Sequence, residues 1–177
     1  MTQSNPFLDL CAPGIRSLQP YVPGKPVEAL ERELGISGSI KLASNENPLG
    51  PSPRALAALR NQLGELGRYP DGGGFALRRA LADRHGVAPS SVTLGNGSND
   101  VLDLVARTFL GPGSEAVFSE HAFAVYPISS MAVGATLRIV PAVDYGHDLV
   151  AMRAMATERT GVVWIANPNN PTGTRLK

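Results

Sequence analysis

The sequence predicts an α/β fold, a mostly parallel sheet flanked by helices. Three observations carry that expectation. From residue 92 onward, short apolar segments alternate with amphipathic stretches of helical length, the rhythm of right-handed βαβ units. The last segment, Gly161-Val162-Val163-Trp164-Ile165-Ala166, is apolar throughout, as a strand covered on both faces has to be. The 19 glycines and 15 prolines cluster between the apolar segments, which places function on loops held by a rigid scaffold.

Each element follows from local chemistry. The first 26 residues carry Pro6, Pro13, Pro20, Pro23 and Pro26 without periodicity and predict an extended arm, because proline fixes φ and removes a donor. Phe7, Leu8, Leu10, Ile15 and Leu18 predict that the arm packs on something. A helix is expected over 26–34, with proline in its first turn and Gly35 past its end. A short strand is expected over 40–43. Ser52 caps the next helix and Pro53 opens it; Leu56, Leu59 and Leu63 share a face before Gly64. After the turn-rich stretch 67–74 comes a helix with Leu77, Ala80 and Leu81 aligned, ended by Gly86. Then follow a strand at 92–94, a helix through Leu110 with Leu102, Val105 and Phe109 on one face, and a strand at 115–119. A helix over 123–133, a strand at 137–140, a helix over 148–158 aligned on Leu149, Met152 and Met155, and the strand 161–166 complete the series.

Composition bounds the function. At 43% apolar and 18% charged residues, the 177-residue chain suits one compact domain with an arm and excludes a disordered one. Sixteen basic against fifteen acidic residues exclude a nucleic-acid or anionic-membrane surface as its main role, since both need a strong basic excess. The lone Cys11 has no disulfide or zinc companions, which points to a reducing compartment. The opening residues carry no secretory pattern, and no apolar run approaches the roughly 20 residues a membrane span needs. A soluble, cytoplasmic protein is expected.

In an open α/β sheet, ligands sit beyond the carboxyl ends of strands, so the loops after Leu94, Ser119 and Ala166 are the places to look. Gly95-Asn96-Gly97-Ser98-Asn99 follows a strand and opens a helix. Its glycines admit an anion close to the backbone, and the Ser98 hydroxyl and first-turn N–H groups supply donors. The dinucleotide pattern fails, because Asp100 stands where its third glycine belongs, and no P-loop occurs. The plain alternative is that Ser98 only caps the helix. Asn167-Pro168-Asn169-Asn170-Pro171-Thr172-Gly173 ends any strand before it, and X-Pro bonds are where cis peptides occur. Such a turn would aim the Asn170 amide at the strand ends. Phe123 either stacks on a flat ring or belongs to the core, and Tyr69 either reaches a phosphate or is an ordinary turn residue. His85, His121 and His147 are scattered, so no metal site is expected, and no Gly-x-Ser-x-Gly nucleophile elbow occurs. A phosphate-bearing aromatic ligand remains.

Five segments in this order resemble the fold-type I pyridoxal-phosphate aminotransferases, and among them the histidinol-phosphate aminotransferases. They are Tyr21-Val22-Pro23-Gly24-Lys25-Pro26, Leu42-Ala43-Ser44-Asn45-Glu46-Asn47-Pro48, Arg68-Tyr69-Pro70-Asp71-Gly72, Gly95-Asn96-Gly97-Ser98-Asn99-Asp100 and the 167–173 turn. The resemblance implies a partial large domain of that fold over 51–177, ending after the 167–173 turn, with an N-terminal arm and small-domain elements over 1–50. It implies pyridoxal 5'-phosphate as cofactor. Ser98 and Asn99 would hold its phosphate, Phe123 would stack on its ring, where relatives often carry tyrosine, and Asn170 would bond its phenolic oxygen. Tyr69 would reach the cofactor of a neighbouring subunit, which implies a homodimer; Tyr21 and Asn45 would lie against the substrate.

The family also needs a lysine to hold the cofactor as a Schiff base and an aspartate at the pyridine nitrogen. The chain has only Lys25, Lys41 and Lys177, none in the family's Ser-Lys context, so no catalytic residue is assigned and the lysine is expected beyond Lys177. The expectation is thus an N-terminal portion of an enzyme that moves the amino group of L-histidinol phosphate to 2-oxoglutarate in histidine biosynthesis, itself inert for want of the lysine. The alternatives are an aromatic amino acid aminotransferase, a truncated product that only pairs with intact subunits, and a decarboxylase of the same fold.

Overall fold

In the computed structural model, residues 10–21 and 23–177 are described. The readings made at Phe7, Leu8 and Val22 lie outside them. In chain order the elements are α1 (Pro13–Arg16), α2 (Val27–Leu34), α3 (Pro53–Gln62), α4 (Phe75–His85), α5 (Ser98–Phe109), β1 (Glu115–Ser119), α6 (Val125–Ala132), β2 (Thr136–Val140), α7 (Leu149–Met155) and β3 (Thr160–Val163). They fall into two compact units: residues 10–21 with 93–177, and residues 23–92.

The first unit is built on a parallel sheet of order β2-β1-β3. The chain leaves β1 for β2 through α6, then returns across β1 to β3 through α7. Right-handed crossovers in opposite directions put their helices on opposite faces. Ala116 and Phe118 of β1 accordingly pack with Ala106, Tyr126 and Trp164, while Val117 packs with Val140 and Met152. All five β1 residues are buried, which is why this strand shows no polar alternation. Helix α1 interrupts the arm expected to be extended, since Pro13 is tolerated in a first helical turn. It crosses α6 so closely that a Cβ on Gly14 would lie 1.9 Å from the Met131 carbonyl oxygen.

At the amino ends of the strands, Glu115 is 1% exposed yet charged. Its carboxylate accepts from the Thr157 hydroxyl at 2.7 Å, from Arg159 Nη2 at 2.6 Å and from Arg138 Nη2 at 3.2 Å. The Thr157 bond above all, then the two guanidiniums, hold this carboxyl below its usual range against the opposing effect of burial.

The second unit holds α2, α3 and α4. Helix α2 ends at Gly35 (φ 65°) and α4 at Gly86 (φ 66°), the left-handed caps that glycine takes without strain. The Ser52 hydroxyl caps α3, accepting the Ala55 N–H at 3.2 Å. Two segments expected to be strands are not. Residues 40–43 carry Ile40 and Leu42 at 85% and 94% exposure, and 92–94 is extended at Val92 (φ −107°, ψ 118°) yet pairs with no strand among the described residues. Apolar, β-branched residues favour a strand, but a strand also needs a neighbour to bond. No described helix is long and apolar enough to cross a membrane.

Candidate functional site

The site is built where three segments reach one end of the first unit. The first is the glycine loop ahead of α5. The Asp100 carboxylate accepts the Asn96 N–H at 3.0 Å, and Gly97 N–H donates to Gly95 O at 2.9 Å, so the loop is folded back on the helix start. Gly97 takes φ 82° and ψ 176°, a conformation open to glycine alone. It is Gly97, not Ser98, that occupies the N-cap position, and no side chain caps this end. The plain capping alternative for Ser98 therefore fails. Ser98 is the first helical residue, exposed together with Asn99, at a helix terminus whose N–H groups and dipole favour an anion.

The direction of α5 follows from its far end. An ideal Cβ on Gly161, at the start of β3, would lie 2.4 Å from Phe109 O. The C-terminus of α5 thus sits at the amino end of the sheet, and Ser98, about 18 Å away along the helix, lies toward the carboxyl ends.

The second segment follows β1. Phe123 is half-buried: it packs on the core and meets Tyr126 edge-on, with ring centroids 6.0 Å apart. Tyr126 in turn lies flat on Trp164 at 5.0 Å and 5°, and the indole N–H donates to Ser130 Oγ at 3.2 Å. Burial raises the pKa of the Tyr126 phenol. The core and stacking readings of Phe123 are thus not exclusive, since part of the residue remains open.

The third segment follows β3. Both Asn167-Pro168 and Asn170-Pro171 are cis. Asn170 is half-buried, whereas Asn169 is 4% exposed. The Asn169 Nδ2 donates to His121 O at 2.9 Å and to Thr172 Oγ1 at 2.8 Å, joining this turn to the segment that carries Phe123. Across the same loops His147 Nε2 donates to Ala166 O at 2.9 Å, and the His121 and Tyr145 rings stack at 5.4 Å.

The first unit therefore brings the Phe123 and Asn170 segments together and carries Ser98 and Asn99 at the same end. Tyr21 also belongs to this unit and is 52% exposed. Tyr69 and Asn45 belong to the other unit. Tyr69 is fully exposed in a groove of about 500 Å³ lined by Gln62, Glu65, Leu66, Arg68 and Pro70. Its loop is held by Asp71, whose carboxylate accepts from Phe75 N–H at 2.7 Å and Gly73 N–H at 2.9 Å; those bonds lower its pKa. Asn45 sits at φ 51°, in a region asparagine tolerates better than most residues. Sequence reasoning missed Asn169 and the Tyr126–Trp164 stack. The only available signals were an asparagine in excess of what a turn needs and a tryptophan inside an apolar strand.

The family model for aminotransferase class I and II matches residues 37–177. The chain belongs to the class I and II aminotransferases. Among its relatives, histidinol-phosphate aminotransferase 2 of Pseudomonas fluorescens is 65% identical over 97% of this chain and 47% of its own length. The crystal structure of histidinol-phosphate aminotransferase from Sinorhizobium meliloti in complex with pyridoxal-5'-phosphate superposes with a TM-score of 0.79 at 31% identity, covering 90% of this chain and 42% of that one. N-Succinyldiaminopimelate aminotransferase from Mycobacterium tuberculosis gives 0.73 at 29% identity, over 85% and 42%. This aminotransferase chain thus spans about half the length of the curated relatives it matches, and its fold is that of the fold-type I enzymes.

Proposed function

We propose that this chain serves a cytoplasmic, homodimeric histidinol-phosphate aminotransferase that moves the amino group of L-histidinol phosphate to 2-oxoglutarate, giving imidazole-acetol phosphate and glutamate in histidine biosynthesis. The observation that carries this reading is the 65% identity to a protein of that name over nearly the whole chain. In the same reading, 1–50 supplies the arm and small-domain elements and 51–177 the cofactor-binding domain.

The residues present fit pyridoxal 5'-phosphate. The α5 N-terminus has no side-chain cap, and the N-cap Gly97 at φ 82° has nothing within 4 Å of where a Cβ would lie, so the backbone at the helix start is open to an anion. When bound, that group supplies an aldehyde for the amine and a ring that accepts electrons. Ser98 and Asn99 bind its phosphate with the N–H groups of the first turn. Phe123 covers one face of its ring and excludes water from that side. The Asn170 amide donates to the ring's phenolic oxygen. Tyr69 donates to the phosphate held by the neighbouring subunit, and Tyr21 and Asn45 orient the substrate.

Proton transfer at the substrate carbon needs an amine. Lys25 and Lys41 are in ion pairs with Glu33 and Glu46, and none of Lys25, Lys41 and Lys177 follows a serine as the family's anchoring lysine does. The 177 residues by themselves accordingly give no turnover. The test is glutamate release from 2-oxoglutarate, with histidinol phosphate or phenylalanine as donor and the protein at the full length its gene encodes. Preference for histidinol phosphate is expected; preference for phenylalanine overturns the substrate assignment. Turnover by the 177 residues alone overturns the lysine argument.

A further inference from the structure

We propose that Asn169 is a positioning residue whose carboxamide sets the gap between Phe123 and Asn170 into which the cofactor ring fits. The inference rests on the reading above, in which a flat ring lies between those two side chains.

The carboxamide nitrogen has two N–H bonds, and each goes to a different side of the gap. One reaches His121 O, two residues ahead of Phe123; the other reaches Thr172 Oγ1, two residues past Asn170. Exchanging the amide oxygen and nitrogen would set oxygen against the His121 carbonyl, so the orientation is fixed by chemistry. The sheet does not hold these loops together: the ladder toward β3 stops at the Trp164 N–H to Val117 O bond, 2.8 Å. Among the described residues no backbone hydrogen bond joins 120–124 to 165–174.

The turn after β3 is held by its own backbone, and Ala122, Phe123 and Ala166 pack on one apolar cluster, so the Asn169 amide adds the hydrogen-bonded link between the two sides. Asn169 N–H donates to Thr174 O and Gly173 N–H donates to Asn169 O, both at 2.8 Å. A closed circuit then runs from Asn169 to Thr172, on to Thr174 Oγ1 at 2.9 Å, and from there to Tyr145 O at 3.0 Å. The Tyr145 ring stacks on His121, whose carbonyl returns the circuit to Asn169. Tyr145 is kept at φ 60° by the two-residue turn between Val143 and Gly146, a strained conformation for an aromatic residue that the circuit holds in place. The side-chain Oδ1 of Asn169 is buried with no donor among the described residues. That orphan opposes stability, and the two N–H contacts offset it.

The test uses the protein at the full length its gene encodes, as apoenzyme titrated with pyridoxal 5'-phosphate. It reads the dissociation constant and the circular dichroism that the site induces in the cofactor band. Asn169→Leu, of similar size without donors, is expected to weaken cofactor binding about tenfold and to reduce the induced band. On a Phe123→Ala background the same change is expected to cost less than about twofold, because residues acting through one another are not additive. A purely structural Asn169 would lower the melting temperature and leave cofactor affinity and the induced band unchanged, which overturns the proposal. If Phe123→Ala and Asn170→Ala themselves leave both readouts unchanged, the underlying placement of the ring is wrong instead. Should the leucine variant fail to fold, Asn169→Ser, too short to span both loops, is held to the same outcomes.

Discussion

At Gly95 a single methyl group is too much. A Cβ there would meet Val101 Cγ2 at 2.9 Å and Asp100 Oδ2 at 3.0 Å, and Asp100 is the acceptor that folds the loop onto α5. Gly95→Ala is expected to destabilise by about 1–3 kcal/mol through overpacking and to weaken phosphate binding at the same helix start. Denaturant titration with and without cofactor checks both. Glu115 makes the other residue-scale prediction, through pH. Its native pKa is depressed by Thr157 first and by Arg138 and Arg159 after it. Such a carboxylate adds stability above its unfolded pKa, roughly 4.3, and loses that contribution as pH falls through the lower native value. The parent chain is thus expected to lose this contribution as pH falls below about 4. Glu115→Gln is less stable at neutral pH, and the gap to the parent narrows in acid. Urea midpoints at pH 7 and pH 3 decide it; a constant gap would show that the carboxylate charge is not what holds Thr157, Arg138 and Arg159 to β1.

At the scale of elements, what a segment decides for itself was readable and what it decides with a distant partner was not. Helices α3 and α4 begin and end at signals within a few residues, Ser52-Pro53 at one start and Gly86 at one end. Strands β1 and β3 announced themselves as apolar runs, although β3 stops at Val163 rather than Ala166. The segments 40–43 and 92–94 carry the same apolar signal without a strand beside them, and α1 hides among prolines that also suit extended chain. The site divides in the same way. The glycine loop and the double Asn-Pro turn were legible as motifs, and Asp100 was visible only as a break in a glycine pattern. The Asn169–His121 bond spans 48 residues and uses a backbone oxygen, an acceptor every residue carries, so no pattern could expose it. Helix α7 offers a direct test of a local signal inside a long-range fold. The Asp148 Oδ1 accepts the Ala151 N–H at 2.9 Å, and Met152 of the same helix fills the core beneath β1. Asp148→Ala is expected to cost about 1 kcal/mol, read as a lower denaturant midpoint with an unchanged slope. A changed slope would mean that α7 detaches from the sheet before the unit unfolds.

For the whole molecule, the apolar surface left open decides behaviour in solution. Along α3 and into the following turn, Leu59, Leu63 and Leu66 are 64%, 63% and 76% exposed, and they lead to the fully exposed Tyr69. An exposed apolar row of this kind suits a surface for protein contact. The homodimer proposed here would use it, because Tyr69 acts across a subunit boundary in that reading and the leucines lie next to it in sequence. Leu59→Glu combined with Leu66→Glu places two like charges where two copies would meet, and burying them unpaired is strongly unfavourable. Both positions are solvent-exposed in the single chain, so the pair should cost little stability on its own, within about 0.5 kcal/mol per site. The full-length protein carrying both changes is expected to sediment as a monomer and to bind cofactor more weakly, since Tyr69 no longer reaches the neighbouring phosphate. Tyr69→Phe is expected to weaken cofactor binding while leaving the dimer intact. A double glutamate variant that stays dimeric would move the subunit boundary elsewhere and remove the argument that Tyr69 works in trans.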